Sequence, residues 1–411
     1  MSYKVGFIGL GKLGMACAEA MAGTYDVTGY DIYPRDSASV KIASSMSEAV
    51  LGQDIVFIAV QTPHDPAYDG SVPITHLENK DFDYQVVTEV LRQVNQVASS
   101  QQLVVLISTV LPGTTRSLLR PCITNARFIY NPYLIAMGSV QWDMVNPEML
   151  IIGTEDGSVT GDAKILTDFY APIMQNNPRV EVGTWDEAEC IKVFYNTYIS
   201  AKIGLANMIQ DVAVKQGNIN TDVVTNALAR STMRIMGPKY MTAGMGDAGP
   251  CHPRDNIALR YLAERLDIGY DLFDAVMHAR EKQAKNMAQY VYDIALAADL
   301  PVFIHGKAYK PDVAYIEGSY SLLVGHYLTE LGKTPTYVDP LTEAVNPQSI
   351  LGVVLLAHNR QITYGYSGEQ LAQTLYCDIQ PGSTVVDPWR NFISTDSGIT
   401  VIHYGNTRFV K

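Results

Sequence analysis

The sequence has little of what would place it in a membrane, on a nucleic acid or in an oxidising compartment. Its longest apolar runs, such as Leu103–Ile107 and Val353–Ala357, fall far short of the roughly 20 residues a membrane helix needs. Positive charge is scarce: 30 Lys+Arg stand against 42 Asp+Glu, a net charge of −12. Long-range attraction to a phosphate backbone or an anionic bilayer is thereby disfavoured, and an anionic ligand must be met by local donors. The five cysteines, Cys17, Cys122, Cys190, Cys251 and Cys377, are odd in number and scattered without C-x-x-C spacing. That argues against a disulfide framework and against a structural zinc, so we expect reduced thiols and no metal. The first residues run from one lysine into glycines without a small-residue cleavage site, and a folded cytoplasmic protein is expected. Repeats, low-complexity tracts and charge blocks are missing too. What is present is 411 residues, 47% hydrophobic and 18% charged, the make-up of a globular chain of two or three domains.

Short apolar runs at Val5–Ile8, Val27–Tyr30, Ile55–Val60, Leu103–Ile107, Phe128–Tyr130 and Met149–Ile152 read as strands. Several are continuous rather than alternating, as buried parallel strands require, and helical stretches separate them in a βαβ pattern. From Asp186 to Met236, and again from Asn256 to Ala298, helical periodicity replaces strand signals. Strands return at Val302–His305, Thr336–Asp339, Val353–Ala357, Thr384–Asp387 and Thr400–Tyr404, with a helix over Ser321–Leu331 among them. The expected organisation is an α/β domain over residues 1–184, a helical middle over 185–299 and a second α/β domain over 300–411.

Gly9, Gly11 and Gly14 form G-x-G-x-x-G between the first strand and a helical run. In that context the glycines permit a tight turn and a close approach to a pyrophosphate, which the helix N-terminus receives. Asp31 ends the next strand at the spacing of a carboxylate that binds an adenosine ribose. A purely structural glycine turn would not call for that acid, and Asp31 favours NAD over NADP. Arg35 tempers the preference, because an arginine can accommodate a 2′-phosphate. Thr62 and Thr109 follow two more strands at their carboxyl ends, where α/β folds bind ligands.

A second cluster of chemistry lies in the stretch AGMGDAGPCHPRD, Ala243–Asp255. Its glycines and prolines suppress regular structure around Cys251, and Arg254 and Asp255 follow closely. A thiol in a polar loop beside a cation is in the environment that lowers its pKa. Cys251 is therefore the nucleophile candidate, with His252 a bystander. The other four cysteines sit in apolar or helical patterns and read as buried small hydrophobes. Lys192 and Asn196 stand at i and i+4 of a helical pattern, an ammonium beside an amide that can stabilise an oxyanion.

With these pieces in order, the chain resembles the UDP-glucose/GDP-mannose dehydrogenase family along nearly its whole length. The matching stretches are FIGLGKLGMA, AVQTP at Ala59–Pro63, STVLPGTT at Ser108–Thr115, NPYLIAMGS at Asn131–Ser139, EAECIKVFYNTY at Glu187–Tyr198, GMGDAGPCHPRD, GKAYKPD at Gly306–Asp312 and VVDPWRN at Val385–Asn391. The resemblance implies an α/β fold of two Rossmann-like, doubly wound parallel-sheet domains joined by a helical core that also forms a homodimer. It implies NAD on the first domain and a nucleotide-sugar substrate between the core and the last. Family chemistry oxidises a sugar C6 alcohol to a carboxylate with two NAD. An aldehyde has no hydride to lose until a nucleophile adds, so a cysteine thiohemiacetal is oxidised to a thioester and hydrolysed. Cys251 matches that cysteine, Lys192 and Asn196 the oxyanion-stabilising pair, Asp255 the carboxylate four residues on, and Thr109 a threonine that positions water. Lys310 and Arg390 match basic residues that contact the sugar nucleotide, and Tyr133 and Arg254 complete the expected substrate contacts.

Where the family commonly reads N-P-E-F-L-R-E-G, Tyr133 and Met137 stand in place of the two glutamates. A phenol, with an unperturbed pKa near 10, is a poor base at neutral pH, which singles out thioester hydrolysis as the step these departures touch. Ala248-Gly249-Pro250 and His252 in the cysteine loop, and Ile316 before Glu317, depart at positions bearing on the identity of the sugar. The leading expectation is oxidation of UDP-glucose to UDP-glucuronate. Alternatives are a UDP-N-acetylhexosamine or GDP-mannose substrate, an enzyme arrested at the thioester, a β-hydroxyacid dehydrogenase, and a nucleotide-sugar binding protein without chemistry.

Overall fold

The computed structural model describes residues 3–63, 81–135, 139–237, 243–247, 253, 260, 263–342, 349–364 and 375–406. The chain divides into two compact units, Met1–Lys202 and Ile203–Lys411.

The first unit runs β1 (Lys4–Ile8), α1 (Lys12–Ala22), β2 (Asp26–Tyr30), β3 (Lys41–Ile42), α2 (Met46–Val50), β4 (Ile55–Ile58), α3 (Gln85–Val97), β5 (Leu103–Leu106), β6 (Arg127–Tyr130), α4 (Val140–Val145), β7 (Met149–Thr154), α5 (Asp162–Tyr170), β8 (Arg179–Thr184) and the start of α6 (Trp185–Gln216). Its sheet has the order β3-β2-β1-β4-β5-β6-β7-β8. The first six strands in that order are parallel, the doubly wound order that turns about β1 and β4. β7 reverses direction against β6, and β8 runs parallel to β7. Both faces are covered, which is why β4 and β5 are apolar at every position. Val5, Phe7, Ile55, Phe57, Leu103 and Val105 join one core with Phe169 and Tyr170. Their alternates Ile8, Val56, Ile58, Val104 and Leu106 join the other with Val87 and Leu91.

In the second unit the remainder of α6 is followed by α7 (Thr221–Ala229), α8 (Leu272–Ala297), β9 (Val302–His305), α9 (Tyr320–Glu330), β10 (Thr336–Val338), β11 (Ser349–Ile350), β12 (Val353–Leu356), β13 (Ile362–Tyr364), β14 (Asp378–Ile379), β15 (Thr384–Asp387), β16 (Phe392–Ser394) and β17 (Thr400–His403). The main sheet, β10-β9-β12-β15-β17, is parallel throughout and turns about β9 and β12. α8 and α9 bury Ala284, Met287, Val291, Val324 and Leu328 against Ile304, Val353 and Leu355. Two short parallel pairs, β11 with β14 and β13 with β16, extend the opposite core. Among the described residues no helix is long and apolar enough to cross a membrane.

Candidate active site

The turn from β1 to α1 is built by close backbone contacts. Gly9 has φ +95°, and a Cβ there would fall 2.6 Å from the Ala59 carbonyl oxygen. A Cβ on Gly14 would fall 1.9 Å from the carbonyl oxygen of Gly9, so only glycine lets the first turn of α1 rest on the strand. Beside Gly11, the N-cap of α1, the space is open, and the helix carries no acidic residue in its first turn. Its leading N–H groups therefore face an opening that suits a pyrophosphate. Asp31 is fixed beside them: one carboxylate oxygen accepts from Leu10 N at 2.8 Å, the other from Tyr33 N at 2.9 Å. Arg35 lies 3.4 Å from the same carboxylate. Gly9, Gly11, Gly14, Asp31 and Arg35 thus share one place, and the carboxylate keeps lone pairs for a diol.

The loops after β4 and β5 are tied together. Thr62 Oγ1 donates to the carbonyl of Thr109 at 2.7 Å, and Ser108 Oγ donates to Val60 O at 2.5 Å. A residue the sequence reading passed over holds the far side: Glu189 of α6, fully buried, accepts from Gly113 N at 2.6 Å and Thr115 N at 2.7 Å. Burial pushes its carboxyl upward while the amide donors pull the other way. Arg116 and Asp186 add an ion pair at 2.7 Å between the same two segments. The signal for Glu189 was its place three residues before Lys192 on one helical face.

Lys192, half-buried, donates from Nζ to the Tyr133 carbonyl oxygen at 2.7 Å. Burial lowers its pKa below the ordinary lysine value, because an ammonium loses hydration there. The Tyr133 side chain is turned into the core. Its hydroxyl meets that of Tyr170 at 2.7 Å, and Tyr170 in turn donates to Asn131 Oδ1 at 2.5 Å. Asn131 donates to Ile151 O at 2.6 Å, so the proton order is fixed and Tyr133 is the donor to Tyr170. Burial raises the Tyr133 phenol well above its usual pKa. What Tyr133 presents to Lys192 is its carbonyl. Asn196, one turn on, is exposed.

In the second unit, exposed Lys310 lies with its ammonium 5.0 Å from the centroid of the Tyr309 ring. Buried Asp339 pins the preceding loop by accepting from Lys307 N and Ala308 N, each at 2.9 Å. Arg390 is spent on carbonyls, to Pro388 at 2.5 Å, Tyr404 at 3.1 Å and Ala243 at 2.6 Å. Cys251, Arg254 and Asp255, with His252 and Met137, lie outside the described residues. Of the other four thiols, expected to be buried, Cys17, Cys122 and Cys377 are, whereas Cys190 on α6 is only partly buried. Burial raises Cys17 to about 12 and Cys377 to about 11, which leaves them protonated and unreactive. Among the described residues no cluster of three His, Cys, Asp or Glu is placed to hold a metal.

Comparison with known proteins bears on the same regions. The NAD binding domain of the UDP-glucose/GDP-mannose dehydrogenase family matches residues 34–174, and the central domain of that family matches 186–282. Together these matches cover more than half of the chain. The chain belongs to the UDP-glucose/GDP-mannose dehydrogenase family. It is accordingly an oxidoreductase with NAD as its cofactor, and the glycine turn, which lies ahead of the matched stretch, fits that dinucleotide by its geometry. Among its relatives is a putative UDP-glucose 6-dehydrogenase of Bacillus subtilis, 26% identical over 324 residues, 76% of this chain and 69% of that protein. A GDP-mannose 6-dehydrogenase of Pseudomonas aeruginosa is 26% identical over 340 residues, 72% of this chain and 71% of the relative. The crystal structure of a ternary complex of GDP-mannose dehydrogenase from Pseudomonas aeruginosa superimposes with a TM-score of 0.75 at 20% identity, covering 97% of this chain and 99% of that one. That likeness shows the fold, two Rossmann-type α/β sheets with a helical region in the chain between them.

Proposed function

We propose that the chain is a nucleotide-sugar 6-dehydrogenase that oxidises the C6 alcohol of UDP-glucose to the carboxylate of UDP-glucuronate through Cys251. The observation that carries this reading is Lys192, an ammonium held in a half-buried position by the Tyr133 carbonyl on the helix that follows an NAD-shaped fold. Gly9, Gly11, Gly14 and Asp31 hold the dinucleotide, with Arg35 and Thr62 at its margins. NAD held there would supply, twice in succession, an acceptor for the hydride that leaves the sugar C6 carbon. Lys192 and Asn196 stabilise the oxyanion at C6. The Cys251 thiolate adds to the aldehyde carbon, and water later displaces the sulfur to give the acid. Thr109, clamped through its carbonyl by Thr62, and Asp255 order that water. Arg254 and Lys310 are the local cations for an anionic substrate, while Arg390, expected beside them, is engaged with backbone carbonyls. We also read the protein as a homodimer acting in the cytoplasm.

A second reading, slow hydrolysis of the thioester, is favoured by one specific finding. The Tyr133 phenol is buried and already donates to Tyr170, so it cannot replace the glutamate as a base for water. Purified protein with excess NAD and a panel of UDP- and GDP-sugars distinguishes the two. Near two NADH per sugar with release of free acid from UDP-glucose, lost in Cys251→Ser, supports full turnover. A burst equal to the enzyme concentration with a mass adduct on Cys251 supports the arrested form. Full activity in Cys251→Ser sinks both.

A further inference from the structure

Arg390 was expected at the substrate, yet its guanidinium grips the protein's own backbone. The segment Ala243–Asp247, which ends four residues before Cys251, has a fixture at every position, all within the second unit. Arg390 donates to the carbonyl of Ala243 at 2.6 Å. A Cβ on Gly244 would fall 2.2 Å from the Trp389 ring, and one on Gly246 would fall 2.1 Å from the Tyr320 ring. Both positions are glycine because an aromatic face occupies the side-chain space. Between them Met245 packs into the core that α8 and α9 build. Asp247 accepts from Arg280 Nε at 2.5 Å, and the Arg280 side chain is only 10% exposed. Arg280 also lies 5.3 Å from the Tyr320 ring centroid, and the Tyr320 hydroxyl donates to Arg280 O at 2.9 Å.

The turn that presents Trp389 and Arg390 is itself rigid. Buried Asp387 accepts from the backbone N–H groups of Trp389, Asn391 and Phe392 at 2.9, 2.6 and 2.7 Å. Arg390 has φ +60°, a left-handed conformation that a non-glycine residue holds only when its surroundings over-determine it. Two arginines and two aromatic rings therefore fix both ends of a five-residue strap. Four residues of extended chain reach at most about 14 Å, so the strap sets where the cysteine loop begins.

We propose that Arg390 and Arg280 are positioning residues for the Cys251 loop, acting through the Ala243 carbonyl and the Asp247 carboxylate rather than on substrate. The proposal rests on the reading of Cys251 as the nucleophile. Its test compares Arg390→Lys and Asp247→Asn in the full-length chain, both soft changes that spare the packed rings. The readouts are iodoacetamide alkylation of Cys251 without substrate, with Cys251→Ser as the background, and the division of effects between kcat and KM. Loss of one bond to a charged group should slow alkylation at pH 7 by about tenfold in both variants. Displacement of the nucleophile should cut kcat by about 100-fold with KM for the sugar nucleotide little changed. NAD binding, a property of the first unit, should be unaltered, and an unchanged thermal unfolding transition certifies folding of the second. If Arg390→Lys raises KM with alkylation and kcat intact, Arg390 contacts substrate and the proposal is wrong. Unchanged alkylation in Asp247→Asn overturns it as well. Full activity in Cys251→Ser would instead overturn the nucleophile assignment, while alkylation would still report on the strap.

Discussion

Lys192 brings an ammonium into a half-buried site where the described residues give it a carbonyl, that of Tyr133. A carbonyl offers a dipole and not a charge, so burial lowers the pKa of Lys192 from the ordinary 10.5. The native chain gives up this proton more readily than the unfolded chain. The buried charge therefore costs stability below its folded pKa, and the cost fades as pH rises toward 10.5. For activity the sign is opposite, because an oxyanion is stabilised only by the protonated form. We expect kcat to fall on the alkaline side at a midpoint below that of a free lysine. Lys192→Met should lose about 10²- to 10³-fold in kcat, and Lys192→Arg, which stays charged, should lack the alkaline limb. An unchanged limb in Lys192→Arg would assign it to another group. At this scale the legible residues were those whose role is set by backbone geometry or local pattern. Gly9, Gly14 and Asp31 come together as their spacing implied. Glu189 and the inward turn of Tyr133 were hidden because each depends on a partner distant in sequence, Gly113 and Thr115 for the one and Tyr170 for the other.

Strands β1, β4, β5 and β12 were legible as continuous apolar runs because both faces of their sheets are covered, and the structure places them within a residue or two of the expected bounds. β8 was missed: at the sheet edge, RVEVGT is half polar and its first residues are exposed, so its pairing with β7 left no apolar run to read. The reversal of β7 has no local signature, since chain direction is decided by the connection and not by the strand. Elements of the second unit carry a pH dependence of their own. At the end of β9, His305 accepts on Nε2 from Tyr376 N at 3.0 Å and stacks on the Tyr376 ring at 4.6 Å. Burial, with His358 adding to it, pushes its pKa down to about 4. A protonated ring would have to aim a donor at the Tyr376 N–H. The unfolded histidine takes up its proton near 6.5 and the native one only near 4. The stabilisation from the neutral ring is whole above the higher value and is lost as pH falls through this window, on the order of 3 kcal/mol. Urea midpoints measured between pH 7 and pH 4 should fall more steeply in the native sequence than in His305→Asn. Parallel slopes would remove His305 from the acid transition.

For the molecule as a whole, the family resemblance implies a homodimer formed through the helical middle. α6 begins buried, with Ala188 and Glu189 in the first unit, and then turns outward. Phe194 is 64% exposed and Tyr198 50% exposed. Spaced i and i+4, they form one stripe, close to opposite that of Lys192 and Asn196 on a helix of 3.6 residues per turn. α7 buries none of its residues and leaves Val223 66% exposed. Two large exposed rings on neighbouring turns of α6 form a stripe of the kind that marks an interface. A second copy of the chain is the occupant the family resemblance implied, and it would cover the outer stripe while leaving the lysine stripe to the chemistry. Sedimentation velocity is therefore expected to give about twice the 45.2 kDa of one chain. Phe194→Glu with Tyr198→Glu should shift the mass to that of a single chain, because burying two carboxylates in an apolar contact costs more than it can return. The two substitutions face away from Lys192, so NAD binding should persist in the separated chains. A single-chain mass for the unaltered protein at micromolar concentration would overturn the dimer and leave the outer stripe to another partner.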